Sequence, residues 1–216
     1  MAIKAIETEY NGYRFRSRLE ARWAVFFDVL HIKYEYEPEG YELTDGSWYL
    51  PDFYLPEQNL FFEVKGVMSE SDKNKIIQFA KDQNNDFYVG YPDLSFEVYA
   101  PDYNDRVAIS KSEAVIGRCA SCGRYYFFTE WGSYECTYCH YYDGDSSFVN
   151  YLHGDWTESS FEKPYKGLKV AIDRARKARF EHGETQKPLS LFEALEVFGR
   201  NELVSNELDE IEEIAF

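Results

Sequence analysis

The stretch YLPDFYLPEQNLFFEVKG, residues 49–66, holds two short apolar runs that are interrupted by charged side chains. Asp52 begins the first run, and Glu63 and Lys65 lie on the second, whose pattern predicts a β-strand. Because residues i and i+2 share one face of a strand, Glu63 and Lys65 should project together, while Val64 projects into a core. Buried charges are costly unless they are paired or bind a metal ion. The three charges therefore either face solvent or form a site.

A metal site is the sharper of these two interpretations. Pro51 lacks an N–H donor, which suits a strand edge where Asp52 could approach Glu63. Two adjacent carboxylates repel each other unless a proton or a cation lies between them, and Mg²⁺ prefers such oxygen ligands. Lys65 would then orient a water molecule or stabilise phosphate charge. The other interpretation stays open, because Glu and Lys alternating on a half-exposed strand form an ordinary polar face.

The flanking sequence predicts helices on both sides of this stretch. The segment SRLEARWAVFFDVLHI has apolar side chains at helical spacing behind Ser17, a possible N-cap, and Glu20 lies at the margin of its apolar face. Short aromatic-rich strands follow. The segment SESDKNKIIQFAKDQ predicts a second helix, capped by Ser69 or Ser71, and DFYVGY predicts a further strand.

The segments SRLE, PDF and EVKG resemble the motifs of the PD-(D/E)XK nuclease superfamily. From Tyr10 to Tyr91 the chain is similar to the endonuclease subunit of Tn7-type transposases, very-short-patch repair endonucleases, archaeal Holliday-junction resolvases and small bacteriophage proteins of this superfamily. The resemblance implies an α+β fold with a restriction-endonuclease-like core of helix, three strands, helix and strand. It also implies a phage-encoded endonuclease that hydrolyses phosphodiester bonds in DNA with the help of a metal ion.

The resemblance assigns a role to each matching residue. Asp52 and Glu63 match the metal-binding acids, and Lys65 matches the catalytic lysine. Glu20 matches the helix acid found in part of the superfamily, where it would support a metal ion or the lysine. The implied cofactor is Mg²⁺ or Mn²⁺, held by the two acids with help from the Val64 carbonyl. The competing expectation is a non-enzymatic scaffold that binds nucleic acid or protein.

The four cysteines form two CxxC pairs separated by thirteen residues, Cys119, Cys122, Cys136 and Cys139. This spacing is typical of a zinc ribbon with four thiolate ligands, which leaves no open position for catalysis, so the predicted Zn²⁺ is structural. Disulfides within the pairs would close very small rings, and a redox CxxC requires a single pair. His140 and His153 are interpreted as bystanders. The aromatic side chains expected to pack around this module are Tyr125, Tyr126, Phe127, Phe128, Trp131 and Tyr134.

The formal net charge of −16 argues against a chain that coats nucleic acid non-specifically. Basic residues are nevertheless segregated into two clusters, which allows a local phosphate-binding surface on an acidic protein. The candidates for DNA contacts are Arg14, Arg16, Arg18, Lys166, Lys169, Arg174, Arg176 and Lys177. The alternative for the second cluster is a solvated helix face paired to the acidic tail.

Changes in composition predict four segments. They are the PD-(D/E)XK nuclease core at 1–112, the four-cysteine zinc module at 113–147, a basic helical extension at 148–183 and an acidic tail at 184–216. The first part of the tail could be helical. The end of the tail, LDEIEEIAF, resembles the acidic tip of bacterial single-stranded-DNA-binding proteins, which docks in partner pockets. A frayed end or an intramolecular cover for the basic surface are the alternatives.

The chain shows no membrane or export signal in the sequence given. No apolar run approaches the roughly 20 residues that a membrane helix needs. The segment MAIKAIETEY contains no apolar stretch of the kind found in a signal peptide. We therefore expect a cytoplasmic protein without a membrane partner, in the host cytoplasm if it is phage-encoded.

Overall fold

The structure, a computed structural model, describes residues 5–101, 109–112, 114–129, 134–144, 147–154, 166–180 and 187–199. Within them it is a mixed α+β fold. The helices are α1 (Arg18–Val29), α2 (Glu70–Gln83), α3 (Lys166–Lys177) and α4 (Leu191–Phe198). The strands are β1 (Thr8–Tyr10), β2 (Tyr13–Phe15), β3 (Glu35–Tyr36), β4 (Tyr41–Glu42), β5 (Trp48–Tyr49), β6 (Phe53–Leu55), β7 (Leu60–Val64), β8 (Phe87–Gly90), β9 (Phe96–Pro101), β10 (Ile109–Ser112), β11 (Ala114–Cys119), β12 (Tyr125–Thr129) and β13 (Phe148–His153).

The larger sheet has the strand order β10-β9-β8-β7-β6-β3 and is antiparallel except between β7 and β8. A parallel pair needs a crossover, and α2 supplies it. Helix α2 begins with a capping box in which Ser69 and Asp72 exchange hydrogen bonds, so Ser69 is the cap. In the β6–β7 pair Phe53 lies opposite Phe62. Continued by one residue, this register sets Asp52 opposite Glu63.

Helix α1 covers one face of this sheet and α2 covers the other. Helix α1 begins at the predicted cap, since the Ser17 side chain accepts a hydrogen bond from the backbone of Glu20. Its buried Trp23 lies so close to β8 that a Cβ at Gly90 would be 2.4 Å from the indole ring. Glycine is therefore required at this crossing. On the other face, Phe79 of α2 packs against Phe61 and its neighbours.

Cys119 ends β11 in a second sheet with the strand order β12-β11-β13, and the other three cysteines lie outside its strands. The predicted boundary between 147 and 148 is wrong, because the strand Phe148–His153 pairs with β11 and completes this sheet. The sheet is also not a separate core. Its Tyr125 and Phe127 belong to the large core cluster together with Trp23 of α1.

The aromatic side chains of β12 divide between two cores, which corrects the prediction that all of them pack around the cysteines. Tyr125 and Phe127 join the large core, whereas Tyr126 and Phe128 pack with the cysteines and Tyr134. The reason is the two-residue period of a strand, which sends alternate side chains to opposite faces. Trp131 lies outside the described residues.

The C-terminal helices are part of the same core. Helix α3 contacts α1 and α4, and it buries one apolar face that includes Leu168 and Ala171. Helix α4 confirms that the tail begins with a helical part, and it buries Val197 and Phe198 in the large core. The rest of the predicted tail, 200–216, lies outside the described residues. None of the described helices combines the length and apolar character needed to cross a membrane.

Candidate active site and metal centre

Two buried carboxylates meet where β6 and β7 adjoin. Asp52 and Glu63 expose only 3% and 5% of their surface. The backbone N–H of Asp52 donates to Oε2 of Glu63 at 3.2 Å. The backbone N–H of Val64 donates to Oδ2 of Asp52 at 2.8 Å. The strand register thus brings together two acids that are eleven residues apart in the chain.

Each of these acids contacts one basic side chain. Nζ of Lys65 lies 2.7 Å from Oε1 of Glu63, so these two residues project together, and it lies 3.6 Å from Oδ1 of Asp72. Nη2 of Arg16 lies 2.8 Å from Oδ1 of Asp52. Asp52 and Glu63 are therefore each paired with one base.

Burial dominates the electrostatics of the acids. It raises the pKa of Asp52 well above its usual range, and the negative charges of Glu63 and Glu20 raise it further, against the Val64 N–H and Arg16. Burial also raises the pKa of Glu63, while Lys65 opposes this shift. Such a pair favours the approach of any cation that lowers the cost of its negative charge.

Burial has the opposite effect on Lys65, because it disfavours the protonated form. Burial is the largest single influence and tends to lower the pKa of Lys65, but the charge and hydrogen bond of Glu63, together with the charges of Asp72 and Asp52, outweigh it and the pKa is raised. Asp72 reinforces this effect, because its carboxylate reaches Nζ of Lys65 from the first turn of α2. Lys65 is consequently a stable cation in this setting, and its charge is held toward Glu63.

Glu20 lies at the start of α1 and not against Lys65. It is 8% exposed, and its oxygens accept hydrogen bonds from Oγ of Ser17 at 2.6 Å, the backbone N–H of Arg16 at 3.0 Å and the hydroxyl of Tyr36 at 2.6 Å. These bonds hold the backbone of Arg16. The carboxylate is near enough to raise the pKa of Asp52, so its influence on the acid pair is through space.

The sequence did not predict that Arg16 and Tyr49 belong to this cluster. Arg16 was expected to contact DNA only, yet its side chain contacts Asp52 and reaches Glu37, with Nε 2.6 Å from Oε1. Tyr49 is buried, and burial and the charges of Glu63 and Asp52 raise the pKa of its hydroxyl. Tyr49 is the first residue of the stretch 49–66, but an aromatic residue near the start of a strand carries no sequence signal of a polar role.

The four cysteine thiols converge between the β11–β12 turn and residues 136–139. Their sulfur atoms lie within 4.8 Å of one another, with 3.7 Å between Cys119 and Cys139 and between Cys122 and Cys136. Zinc–sulfur bonds of about 2.3 Å in a tetrahedron require sulfur separations of about 3.8 Å. The thiols are free and not disulfide-bonded. The cluster can therefore hold a metal ion such as zinc.

Backbone donors support this cluster. The N–H groups of Ser121 and Cys122 point at Sγ of Cys119, and that of Tyr138 points at Sγ of Cys136, each at 3.4 Å. Such donors favour the thiolate over the thiol. His140 pairs with Glu135. In the described part of the chain, only the cysteines form a group of three or more metal-binding side chains this close together.

The basic residues predicted to bind DNA have different surroundings. Arg14 forms an exposed pair with Glu7, and Lys169 pairs with Asp173 one helical turn away. Arg176 donates to the carbonyl of Asp93. Lys177 is exposed at the end of α3, Arg18 begins α1, and Lys166 begins α3.

Arg174 is the clearest departure from the DNA-binding set. It forms two bonds with Glu193, at 2.9 and 2.6 Å, and donates to the carbonyls of Lys187 and Pro188. Its side chain is only 19% exposed. It joins α3 to α4, as expected from the alternative in which the basic helix pairs with acids of the tail.

Two comparisons with known proteins found no match. No family model matches the chain, and no curated protein matches it in sequence.

Proposed function

We propose that the protein is a metal-dependent endonuclease of the PD-(D/E)XK type that hydrolyses phosphodiester bonds in DNA, encoded by a phage. The observation that carries the proposal is the meeting of Asp52, Glu63 and Lys65 where the neighbouring strands β6 and β7 adjoin in a mixed sheet. The order of helix, strands, helix and strand around this site is consistent with the core implied by the motifs. The cluster combines two acids that could hold a cation with a separate, fixed positive charge on Lys65. Metal-dependent hydrolysis of a phosphodiester bond can use both features.

The donor set fits a hard divalent cation. Asp52 and Glu63 offer carboxylate oxygens whose own charges are destabilised by burial, and the backbone carbonyl of Val64 between Glu63 and Lys65 could add a third oxygen. When bound there, Mg²⁺ or Mn²⁺ would polarise the phosphate and lower the pKa of a bound water. The protein contributes the position of the oxygens, since the Val64 N–H fixes Asp52.

Lys65 is placed where it could stabilise the negative charge that develops on the phosphate during hydrolysis. Its Nζ is held between Glu63 and Asp72, so the ammonium group is oriented before substrate arrives. From there it would hold the attacking water or stabilise negative charge on the phosphate oxygens.

The cysteine cluster serves a structural role in this proposal. Four thiolate ligands would complete a tetrahedral Zn²⁺ site and leave no position for a substrate. The ion would tie the end of β11 to residues 136–139. It would thereby stabilise the sheet whose Phe127 packs in the large core beside Phe62, one residue from Glu63.

A second candidate has one specific observation in its favour. The acids are already balanced by Arg16 and Lys65, so the cluster is complete as a set of ion pairs. A non-enzymatic scaffold that binds nucleic acid or protein would need no more than this. The two candidates differ in whether cleavage follows from adding a divalent cation.

Cleavage of supercoiled plasmid and of labelled oligonucleotides, with and without Mg²⁺ or Mn²⁺, tests the proposal. We expect nicking by the wild-type protein and its loss in Asp52→Asn and in Lys65→Met, because a lost metal ligand or charge commonly costs several kcal/mol, on the order of a thousandfold in rate. Asp86→Asn is the matched control, since it neutralises a carboxylate outside the site. Nicking that is equal in all four proteins would refute the proposal.

A further inference from the structure

Arg16 holds the oxygen of Asp52 that no backbone group contacts. Oδ2 of Asp52 accepts the Val64 N–H at 2.8 Å, in a bond that links the beginning of β6 to the end of β7. Oδ1 accepts Nη2 of Arg16, also at 2.8 Å. A guanidinium and a metal ion cannot share this position without strong repulsion, because both are cations within contact distance. Binding at Oδ1 therefore requires that Arg16 move.

The surroundings of Arg16 allow its side chain to move but hold its backbone in place. Its backbone N–H is fixed by Glu20 and by the hydroxyl of Tyr36, both at 3.0 Å. Its side chain is 54% exposed, whereas that of Asp52 is 5% exposed. The guanidinium thus reaches from the rim of the site onto a buried acid, and solvent is available to it when the contact breaks.

Glu37 would keep the released guanidinium at the rim. Nε of Arg16 lies 2.6 Å from Oε1 of Glu37, a contact that does not involve Asp52. Loss of the Asp52 contact frees Nη2, which belongs to the planar donor set that matches phosphate oxygens. The freed group would remain next to the acids to which a phosphate is brought.

We propose that Arg16 is the resident counter-ion of Asp52, that a divalent cation displaces it from Oδ1, and that the released guanidinium then binds a phosphate of the DNA substrate. This inference rests on the proposed function. It makes metal binding and DNA binding cooperative, since the same cation that occupies Oδ1 makes the arginine available.

Mn²⁺ binding to the zinc-loaded protein, followed by electron paramagnetic resonance of the free ion, tests the displacement. Arg16→Gln removes the competitor and should tighten Mn²⁺ binding about tenfold, the range of one charge-assisted hydrogen bond. Arg16→Lys, which keeps the charge, should lie nearer the wild type. Arg14→Gln, the matched control two residues away in an exposed pair with Glu7, should leave Mn²⁺ affinity unchanged.

DNA binding tests the second step in a Lys65→Met background, in which cleavage is prevented. Mn²⁺ should tighten binding of a DNA duplex to Lys65→Met, and addition of Arg16→Gln should abolish most of that gain. Equal or weaker Mn²⁺ affinity in Arg16→Gln, with Asp52→Asn abolishing Mn²⁺ binding, would overturn the inference and leave the proposed function standing. An unchanged Mn²⁺ gain in the double variant would overturn it as well. If Mn²⁺ binds no better to the wild type than to Asp52→Asn, the proposed function fails and the inference fails with it.

Discussion

The cysteine cluster and the acid pair are two candidate metal sites with opposite designs. The cysteines present four like ligands supported by backbone N–H groups, and among the described residues no basic side chain forms an ion pair or hydrogen bond with their sulfur atoms. The acids, by contrast, each contact a base, Arg16 on Asp52 and Lys65 on Glu63. The cysteine cluster offers ligands that an ion could neutralise, whereas the acids are already paired with bases of the protein.

The difference teaches which ion the fold depends on. Four converging thiols that ionise together repel each other unless a cation neutralises them, so the cysteine-bearing sheet should need its ion to fold. Two acids paired with two bases need none, so an ion that binds there would be free to exchange with solvent. An exchangeable ion is suited to catalysis, and a closed one to structure.

The largest effect is expected at Cys119. Cys119→Ser should remove zinc and cost about 3 kcal/mol or more of unfolding free energy, because Cys119 is 1% exposed and ends a central strand of its sheet. Cys139→Ser also removes a ligand, but Cys139 is exposed and should cost less stability. Zinc content and thermal unfolding under reducing conditions check both. If the wild-type protein contains no zinc and Cys119→Ser unfolds at the same temperature as the wild type, the contrast between the two sites is wrong.

A smaller effect is expected when the acid pair loses a base. Lys65→Met should destabilise the metal-free protein by about 2 kcal/mol, since it leaves Glu63 buried without its cation. Added Mn²⁺ should recover part of that loss. Chemical denaturation with and without Mn²⁺ measures it, and Lys33→Met, which breaks an exposed pair with Glu57, is the control. No loss in Lys65→Met would mean that the bases do not balance the acids.

A third region, the basic helix, sharpens the comparison between structural and functional charges. Arg174→Gln should cost about 1–2 kcal/mol of stability, because it leaves Glu193 and two carbonyls without a donor. Lys177→Gln should leave stability unchanged and reduce the salt dependence of DNA binding by about one ion. Urea denaturation and binding at several salt concentrations separate the two. The reverse pattern would return Arg174 to the DNA-binding set.

The smallest effect concerns Asp86, a carboxylate beside the cleft that also contains Cys136. Burial raises the pKa of Asp86 to about 6 from its ordinary 3.8, so the folded protein holds this proton more tightly than the unfolded chain. Stability should therefore fall as the pH rises from about 4 to about 6, and stay lowered above that range. Asp86→Asn should abolish this part of the pH dependence and raise stability at pH 7 by about 1 kcal/mol. Thermal unfolding at pH 5 and pH 8 checks the sign, and a gain confined to the lower pH would contradict it.

Local patterns predicted much of this molecule. Helical spacing and the Ser17 cap located α1, and the period of two set Glu63 and Lys65 on one face. The cysteine spacing predicted a cluster that the structure bears out. In each case the signal and its consequence lie within a few residues of each other.

Pairings between distant segments could not be predicted in this way. Arg16 and Asp52 are separated by 36 positions, and nothing in either neighbourhood marks the other as a partner. Phe148–His153 was assigned to a helical extension because its pairing with β11 depends on tertiary contacts. The alternation of Tyr125 and Tyr126 between two cores likewise depends on a sheet whose position the sequence does not encode locally.

The central claim is that one site holds a permanent structural ion and the other an exchangeable catalytic one. Exhaustive dialysis against metal-free buffer, followed by measurement of zinc content and DNA cleavage on the same sample, tests it directly. We expect about one zinc per chain after dialysis, no cleavage, and full recovery of cleavage on addition of Mg²⁺ without a change in zinc. Cleavage that persists without added Mg²⁺, or that Mg²⁺ restores equally in Asp52→Asn, would contradict it.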